Sequence, residues 1–379
     1  MSAQEVAEIR IQGNATVPDE EVLQVAGMAV GDRVTSEDLA RVQERLHDSG
    51  RFAEVCVERR YRSLTRTDRV VVLIIVREKV SAARKLLVLP QFRYTEDEDF
   101  SAGVRLSAKD LLGGSEFLSL PVSFGGVDSV ALEARKDWDS GIVIGAAFGV
   151  RRFENPHFEI DDERVRAGVF LRYRTRSPLW VEGRVRFDDV SFGELDENLV
   201  VYGVTATFDT RPETAFPYDS VLLSAGWEGL HGSERGLVNR FRLEAAGYKT
   251  LIGQLVLAAR VAATLSDAPL PTYEKSYVGG GVSLRGSKAG SFIGDNALLG
   301  TAELRLPLGP VNSPIDYGVS VFWDTAAVWD NAAALSDAPL HHGVGGGVFF
   351  ILPGISLNLD VANNTEGSTR VHFGFGFRF

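Results

Sequence analysis

Beyond about residue 85 the chain alternates. In residues 164–174 the apolar set is Val165, Ala167, Val169, Leu171 and Tyr173, interleaved with Arg164, Arg166, Arg172 and Arg174. The next segment sets Leu179, Val181, Val185 and Phe187 against Glu182, Arg184, Arg186 and Asp188. A period of two specifies strands with one apolar and one charged face. Such a ribbon has two homes. In a soluble sandwich the apolar face meets a second sheet and the charged face meets water. In a membrane barrel the apolar face meets lipid and the charged face lines the bore.

Segment counting favours the barrel. Sixteen candidate strands start near Lys85, Asp99, Glu116, Asp128, Gly141, Arg164, Pro178, Asn198, Asp219, Leu237, Gln254, Asp295, Asp316, His342, Gly354 and Thr369. An even number closes an antiparallel barrel, and each segment is about the 9–11 residues a tilted strand needs to cross a bilayer. With Lys85 on the periplasmic side, the inner turns Thr175-Arg176-Ser177, 251–253 and Leu352-Pro353 are short. The outer loops 153–163, 266–294 and 330–340 are long; 125–127 and 209–218 break the rule. A sandwich gives no reason for that bias. No run of about 18 apolar residues predicts a membrane helix. The 39 glycines, 22 phenylalanines and near-zero mean hydropathy suit alternating strands.

Residues 1–80 read differently. Ile9, Ile11 and Gly13-Asn14 give a strand and a tight turn. Pro18 suits a first helical position, followed by Asp19, Glu20 and Glu21, and Gly27 ends that helix. Ser36 caps a second helix with Leu39, Val42 and Leu46 as its buried stripe, and Gly50 takes the left-handed position after it. Strands over 54–61 and 70–76 follow. Strand–helix–helix–strand–strand makes one small α/β domain. This segment resembles a single POTRA (polypeptide-transport-associated) domain, and Asp48-Ser49-Gly50-Arg51-Phe52-Ala53-Glu54-Val55 looks like that family's helix-to-strand junction.

The remaining motifs carry a second resemblance. The loop between the eleventh and twelfth strands contains Gly279-Gly280-Gly281-Val282-Ser283-Leu284-Arg285-Gly286. It resembles the sixth-loop motif of the outer-membrane assembly-factor superfamily (BamA/TamA-like, bacterial surface antigen barrels): a branched residue, Arg, Gly and an aromatic. Leu284, Arg285 and Gly286 fit, and Ser287 stands where the aromatic is usual. The resemblance implies that Arg285 folds into the lumen to meet Glu303, within 301–307, and Asp324, within 321–324. An arginine fork pins a loop to carboxylates by several bonds at once. Lys109-Asp110-Leu111-Leu112-Gly113-Gly114-Ser115 looks like the family's turn after the second strand. Asp209-Thr210-Arg211-Pro212 with Pro217 resembles its turn after the eighth, Ser220 replacing the usual glycine. Phe373, Phe375, Phe377 and the terminal Phe379 are similar to the C-terminal signal of outer-membrane barrels.

Together these imply an N-terminal POTRA domain (1–80) and a 16-stranded antiparallel transmembrane β-barrel (85–379) in the outer membrane of a Gram-negative bacterium. The small domain is expected in the periplasm. The implied function is insertion or translocation of unfolded outer-membrane or secreted polypeptides. Clients would add a strand to the POTRA edge and use a weak seam between residues 85–94 and 369–379, where Gly374 and Gly376 pack no side chain. Outer-membrane lipid including lipopolysaccharide, and periplasmic or lipoprotein partners, are the other expected contacts. Two alternatives are a two-partner-type secretion pore, which normally has two POTRA domains and a plug helix, and a passive pore or anchor for a passenger domain. The net charge of −11 argues against nucleic acid. Cys56 is the single cysteine, and the six histidines lack ligand spacing. With no nucleophile elbow or phosphate loop, neither an enzyme nor a cofactor is expected. Glu96-Asp97-Glu98-Asp99 reads as a solvated loop tip, with divalent bridging to lipopolysaccharide as a second reading. Met1-Ser2-Ala3-Gln4-Glu5 lacks a signal peptide's features, so the start reads as that of a mature or trimmed chain.

Overall fold

The computed structural model describes residues 3–14, 17–61, 69–78, 86–110, 115–175, 177–211, 216–233, 236–308, 316–352 and 355–375. Two compact units are present. The first is a four-stranded sheet in the order β2-β1-β4-β3, with two helices. Its elements are β1 (Gln4–Gln12), α1 (Asp19–Ala26), β2 (Arg33–Val34), α2 (Ser36–Asp48), β3 (Phe52–Tyr61) and β4 (Arg69–Glu78). β4 lies between β1, parallel to it, and β3, antiparallel. Its unbroken run of branched apolar residues is buried on both faces, Val70, Val72 and Ile74 on one and Val71 and Leu73 on the other. Val70, Val72, Ile74 and Val76 form one core with Leu39, Val42 and Leu46 of α2 and Val22 and Ala26 of α1.

The caps differ from expectation by one residue. Thr35, not Ser36, is the α2 N-cap: its hydroxyl accepts from Asp38 N–H (3.3 Å), while Asp38 Oδ2 accepts from Thr35 N–H (2.8 Å). Only Thr35 stands three residues before an acid that can reach back, as a capping box needs. Pro18 is likewise the N-cap of α1, with extended backbone, rather than its first helical residue. The two-residue β2 is too short to carry a periodicity in the sequence.

The second unit is one sheet of sixteen strands, each antiparallel to the next in the stretches of ladder that run from Leu86–Thr95 to Thr369–Phe375. Several strands start earlier than alternation suggests. The sixth is Asp161–Arg174, the eighth Leu195–Asp209 and the fourteenth Leu340–Leu352. On the sixth and eighth strands the early residues pair with the seventh across continuous ladders, such as Asp162↔Phe192 to Arg174↔Trp180 and Phe192↔Leu195. The seventh strand (Leu179–Phe192) therefore meets the eighth through a two-residue turn with Gly193 in the left-handed region (φ 62°). This is a further short connection on the long-loop side.

The two faces are inverted relative to a soluble protein. On the sixth strand Val169 and Leu171 are 57% and 53% exposed, and Val185 and Phe187 on the seventh are exposed as well. Between them point Asp188, which is wholly buried, Glu182, and their partners Arg166 and Arg172. Apolar belts this large on the outside and paired charges within fit a hydrocarbon surround. Among the described residues no helix is long and apolar enough to cross a membrane.

Candidate functional site: a loop clasped inside the barrel

The long loop between the eleventh strand (Val256–Ser266) and the twelfth (Asn296–Pro307) folds back among buried charges. Arg285 is 3% exposed. Its Nε and Nη2 donate to the two carboxylate oxygens of Asp324 at 2.6 and 2.7 Å, and its Nη1 donates to Glu303 Oε2 at 2.8 Å. Asp360 Oδ2 lies 3.5 Å from Nη1. Burial works against the charge, but Asp324, Glu303 and Asp360 raise the Arg285 pKa and keep it protonated. The guanidinium also lies over the Phe322 ring, 3.2 Å from its centroid.

The backbone permits this approach at two glycines. Gly286 is left-handed (φ 94°). At Gly343 a Cβ would lie 1.9 Å from the Arg285 carbonyl oxygen, so only glycine lets the fourteenth strand pass. Leu284 is fully buried with Val278, Ala297, Ala326 and Val328, an apolar plug beside the ion cluster. Ser287 is buried too, its Oγ 3.4 Å from the Asn364 amide nitrogen. Phe322, on the thirteenth strand (Asp316–Trp329), supplies the ring beside the arginine.

Sequence reasoning missed the loop's other end. Glu274 accepts from Arg164 Nη1 and Arg240 Nη1, both at 2.8 Å. Tyr273 Oη donates to Glu197 Oε2 at 2.9 Å, and Arg240 also reaches Glu228. Burial pushes the Glu274 carboxyl up, but Arg240, Arg164 and Arg186 outweigh it and hold the pKa at about 2. The loop thus bridges two walls of opposite sign, offering an anion to the arginines and a cation to the carboxylates. A signal was present: the sixth and tenth strands carry more basic than acidic residues, and Glu274 is the one acid between Asp267 and Asp295.

The tip also reaches the last strand. Gly286 N–H donates to His372 Nε2 at 2.7 Å, and His372 Nδ1 is 2.5 Å from Glu96 Oε1. The acidic turn 96–99 is therefore more than a solvated tip: Glu96 holds a buried histidine. Next to it burial, then Glu98 and Glu96, push Asp97 up to about 6. Phe373 lies opposite Leu359 and Gly374 opposite Asn358. Phe375 pairs by backbone with Leu357, and Gly376, Phe377 and Phe379 lie outside the described residues, as does most of 109–115. Among the described residues no group of three or more His, Cys, Asp or Glu could hold a metal ion.

A family model of the Omp85 superfamily domain matches residues 152–379. The chain belongs to the Omp85 superfamily. A model described as surface antigen variable number repeat, a POTRA family, matches residues 4–79, so this Omp85 sequence carries one POTRA domain before its barrel. Compared with curated proteins, the chain has no match. Among solved structures it is similar to BamA from Haemophilus ducreyi lacking POTRA domains 1–3, at 15% identity and a TM-score of 0.64, over 98% of this chain and 84% of that one. It is also similar to CdiB from Escherichia coli (10% identity, TM-score 0.59, 98% and 90% covered). CdiB from Acinetobacter baumannii is alike at 13% identity and a TM-score of 0.58, with 99% and 74% covered. These likenesses establish the fold: a POTRA-like domain and a nearly closed 16-stranded antiparallel barrel. Omp85 barrels are outer-membrane insertion and translocation proteins rather than enzymes.

Proposed function

We propose that this chain inserts polypeptides into, or moves them across, the bacterial outer membrane, with the POTRA domain in the periplasm and the barrel seam as the route. The observation that supports it most is the seam. Neighbouring strands are paired around the whole sheet, yet among the described residues no backbone ladder joins the first strand to the last. There the strands meet through side chains, such as the Tyr94 and Phe373 rings with centroids 5.6 Å apart. Gly374, and Gly376 beyond it, have no side chain to add to such packing.

The clients are unfolded outer-membrane or secreted polypeptides, recognised by backbone pairing. Among the described residues β3 pairs with β4 on one side only, which leaves an edge for an added strand. On that edge Val57 N–H donates to Gln43 Oε1 at 3.3 Å, a side chain that a client carbonyl can displace. Phe377 and Phe379 serve as the chain's own insertion signal. Arg285, Glu303 and Asp324 hold the loop that braces the lumen. Free energy comes from strand pairing and lipid burial, without nucleotide, and lipopolysaccharide and lipoproteins are the surroundings expected to assist.

The test uses the full chain in lipid vesicles, with Cys56→Ser and a cysteine pair at Tyr94 and Phe373. Oxidation should abolish insertion of a client barrel, and reduction should restore it. Full activity in the oxidised state would sink the seam route. Delivery of the client into the vesicle interior, instead of its membrane, would select the secretion reading.

A further inference from the structure

The polar chain from loop tip to seam has a fixed direction. Gly286 N–H is a donor, so His372 Nε2 must accept, and a neutral ring then carries its proton on Nδ1 and donates it to Glu96. His372 is 1% exposed and belongs to the last strand, whereas Glu96 belongs to the turn that leaves the first. Around the ring stand Glu96, the Gly286 amide and, opposite it on the neighbouring strand, Asp360, which Arg285 approaches. One imidazole therefore ties together the loop tip, the last strand and the first.

The loop is shaped for this contact. Gly279 and Gly280 have positive φ (134° and 75°). A Cβ at Gly280 would come within 3.3 Å of Glu96 Oε2, and one at Gly281 within 3.4 Å of His372 Cβ. The glycine run allows the loop to lie flat against the histidine–glutamate pair.

We propose that His372 is a positioning residue that couples the loop tip to the seam, its bond to Glu96 holding the outer end of the seam shut while Gly286 keeps the ring in the donating tautomer. The claim rests on the seam being a route for clients, and its physical content is local. Since no backbone ladder joins these strands among the described residues, one hydrogen bond to a carboxylate carries a large share of the closure there.

The experiment reads seam width directly. Spin labels at Phe92 and Val371, exposed positions on the two seam strands, are placed in full-length Cys56→Ser protein in phosphatidylethanolamine–phosphatidylglycerol nanodiscs. The parent should give one narrow distance. His372→Phe keeps a ring but neither polar contact, and Glu96→Ala cuts only the link across the seam. Each should raise a longer-distance population roughly tenfold, as loss of one charge-assisted bond predicts. His372→Gln, whose amide both accepts and donates, should restore the narrow distance. A single narrow distance in His372→Phe, with the barrel's heat-modifiable gel mobility intact, overturns the proposal. So does opening in His372→Phe while Glu96→Ala stays closed. If His372→Phe does not fold, Glu96→Ala and His372→Gln decide it. Opening without any change in client insertion would uphold the latch and sink the seam route.

Discussion

Arg285 and Asp324 meet through two parallel bonds, 2.6 and 2.7 Å long, that join a loop to the thirteenth strand. Removing Arg285 takes its cation from Asp324 and Asp360, while Glu303 keeps the bond from Arg305 Nε at 2.8 Å. Arg285→Ala should lower barrel stability by roughly 3–5 kcal/mol, the cost of orphaning buried charge, read by urea unfolding in vesicles. Arg285→Lys keeps the charge but not the fork, so it should fall between the two. Equal stability of all three would show that the cluster is not a brace.

Glu274 gives the loop an acid limit. Its pKa falls from an ordinary 4.5 to about 2 in the folded state. The stability it contributes is complete above about pH 4.5 and is lost as pH falls from there toward 2. Protease sensitivity of the loop should rise across that window. Glu274→Gln should show the loosened loop at neutral pH and lose that part of the acid response.

The β3 edge should tolerate a proline where the ladder does not need the donor. Val57 N–H points to Gln43 and not to β4, so Val57→Pro should fold yet reduce client photo-crosslinking to the POTRA domain several-fold. Gln43→Ala frees that donor and should increase it. No change in either variant would place client binding elsewhere.

The lipid face can be tested by charge. Val169→Arg puts a cation on the exposed apolar belt and should destabilise the barrel in vesicles by about 2–4 kcal/mol if it sits at the bilayer midplane. Wild-type stability for this variant would mean that the belt faces water.

In the small domain, Thr35→Ala removes half of a capping box and should cost about 1 kcal/mol. Leu46→Ala, in a core where Leu46 is fully buried, should cost about 2–5 kcal/mol. Limited proteolysis of residues 1–84 within the intact chain should rank them in that order.

Much of the architecture is legible in the sequence. Val169 and Leu171 had to share a face with Val165 because a strand turns every second side chain the same way. Repeated over sixteen segments, this gives the barrel its strand number. Ends were harder. Asp161, Asp162 and Glu163 extend the sixth strand although they break its alternation, because Glu154, Phe153 and Arg152 on the fifth strand supply a ladder that propensity does not register. Thr35 displaced Ser36 as a cap because the decision rests on reach to Asp38.

The site divides along the same line. Alternation and motif spacing placed Leu284, Arg285 and Gly286 on the longest loop, with Glu303 and Asp324 on strands beyond it. Local order along the chain carries that information. Which charge meets which across the bore is a matter of distance in space. Glu274 reaches Arg164 over 110 positions and His372 reaches Glu96 over 276, separations at which a sequence has no periodicity left to read. The sequence by itself determined strands, faces and one α/β domain, because those follow from neighbours two to four residues apart. Only closure of the sheet decided that one loop should hold both walls and one histidine should touch both edges, because curvature brings those residues together.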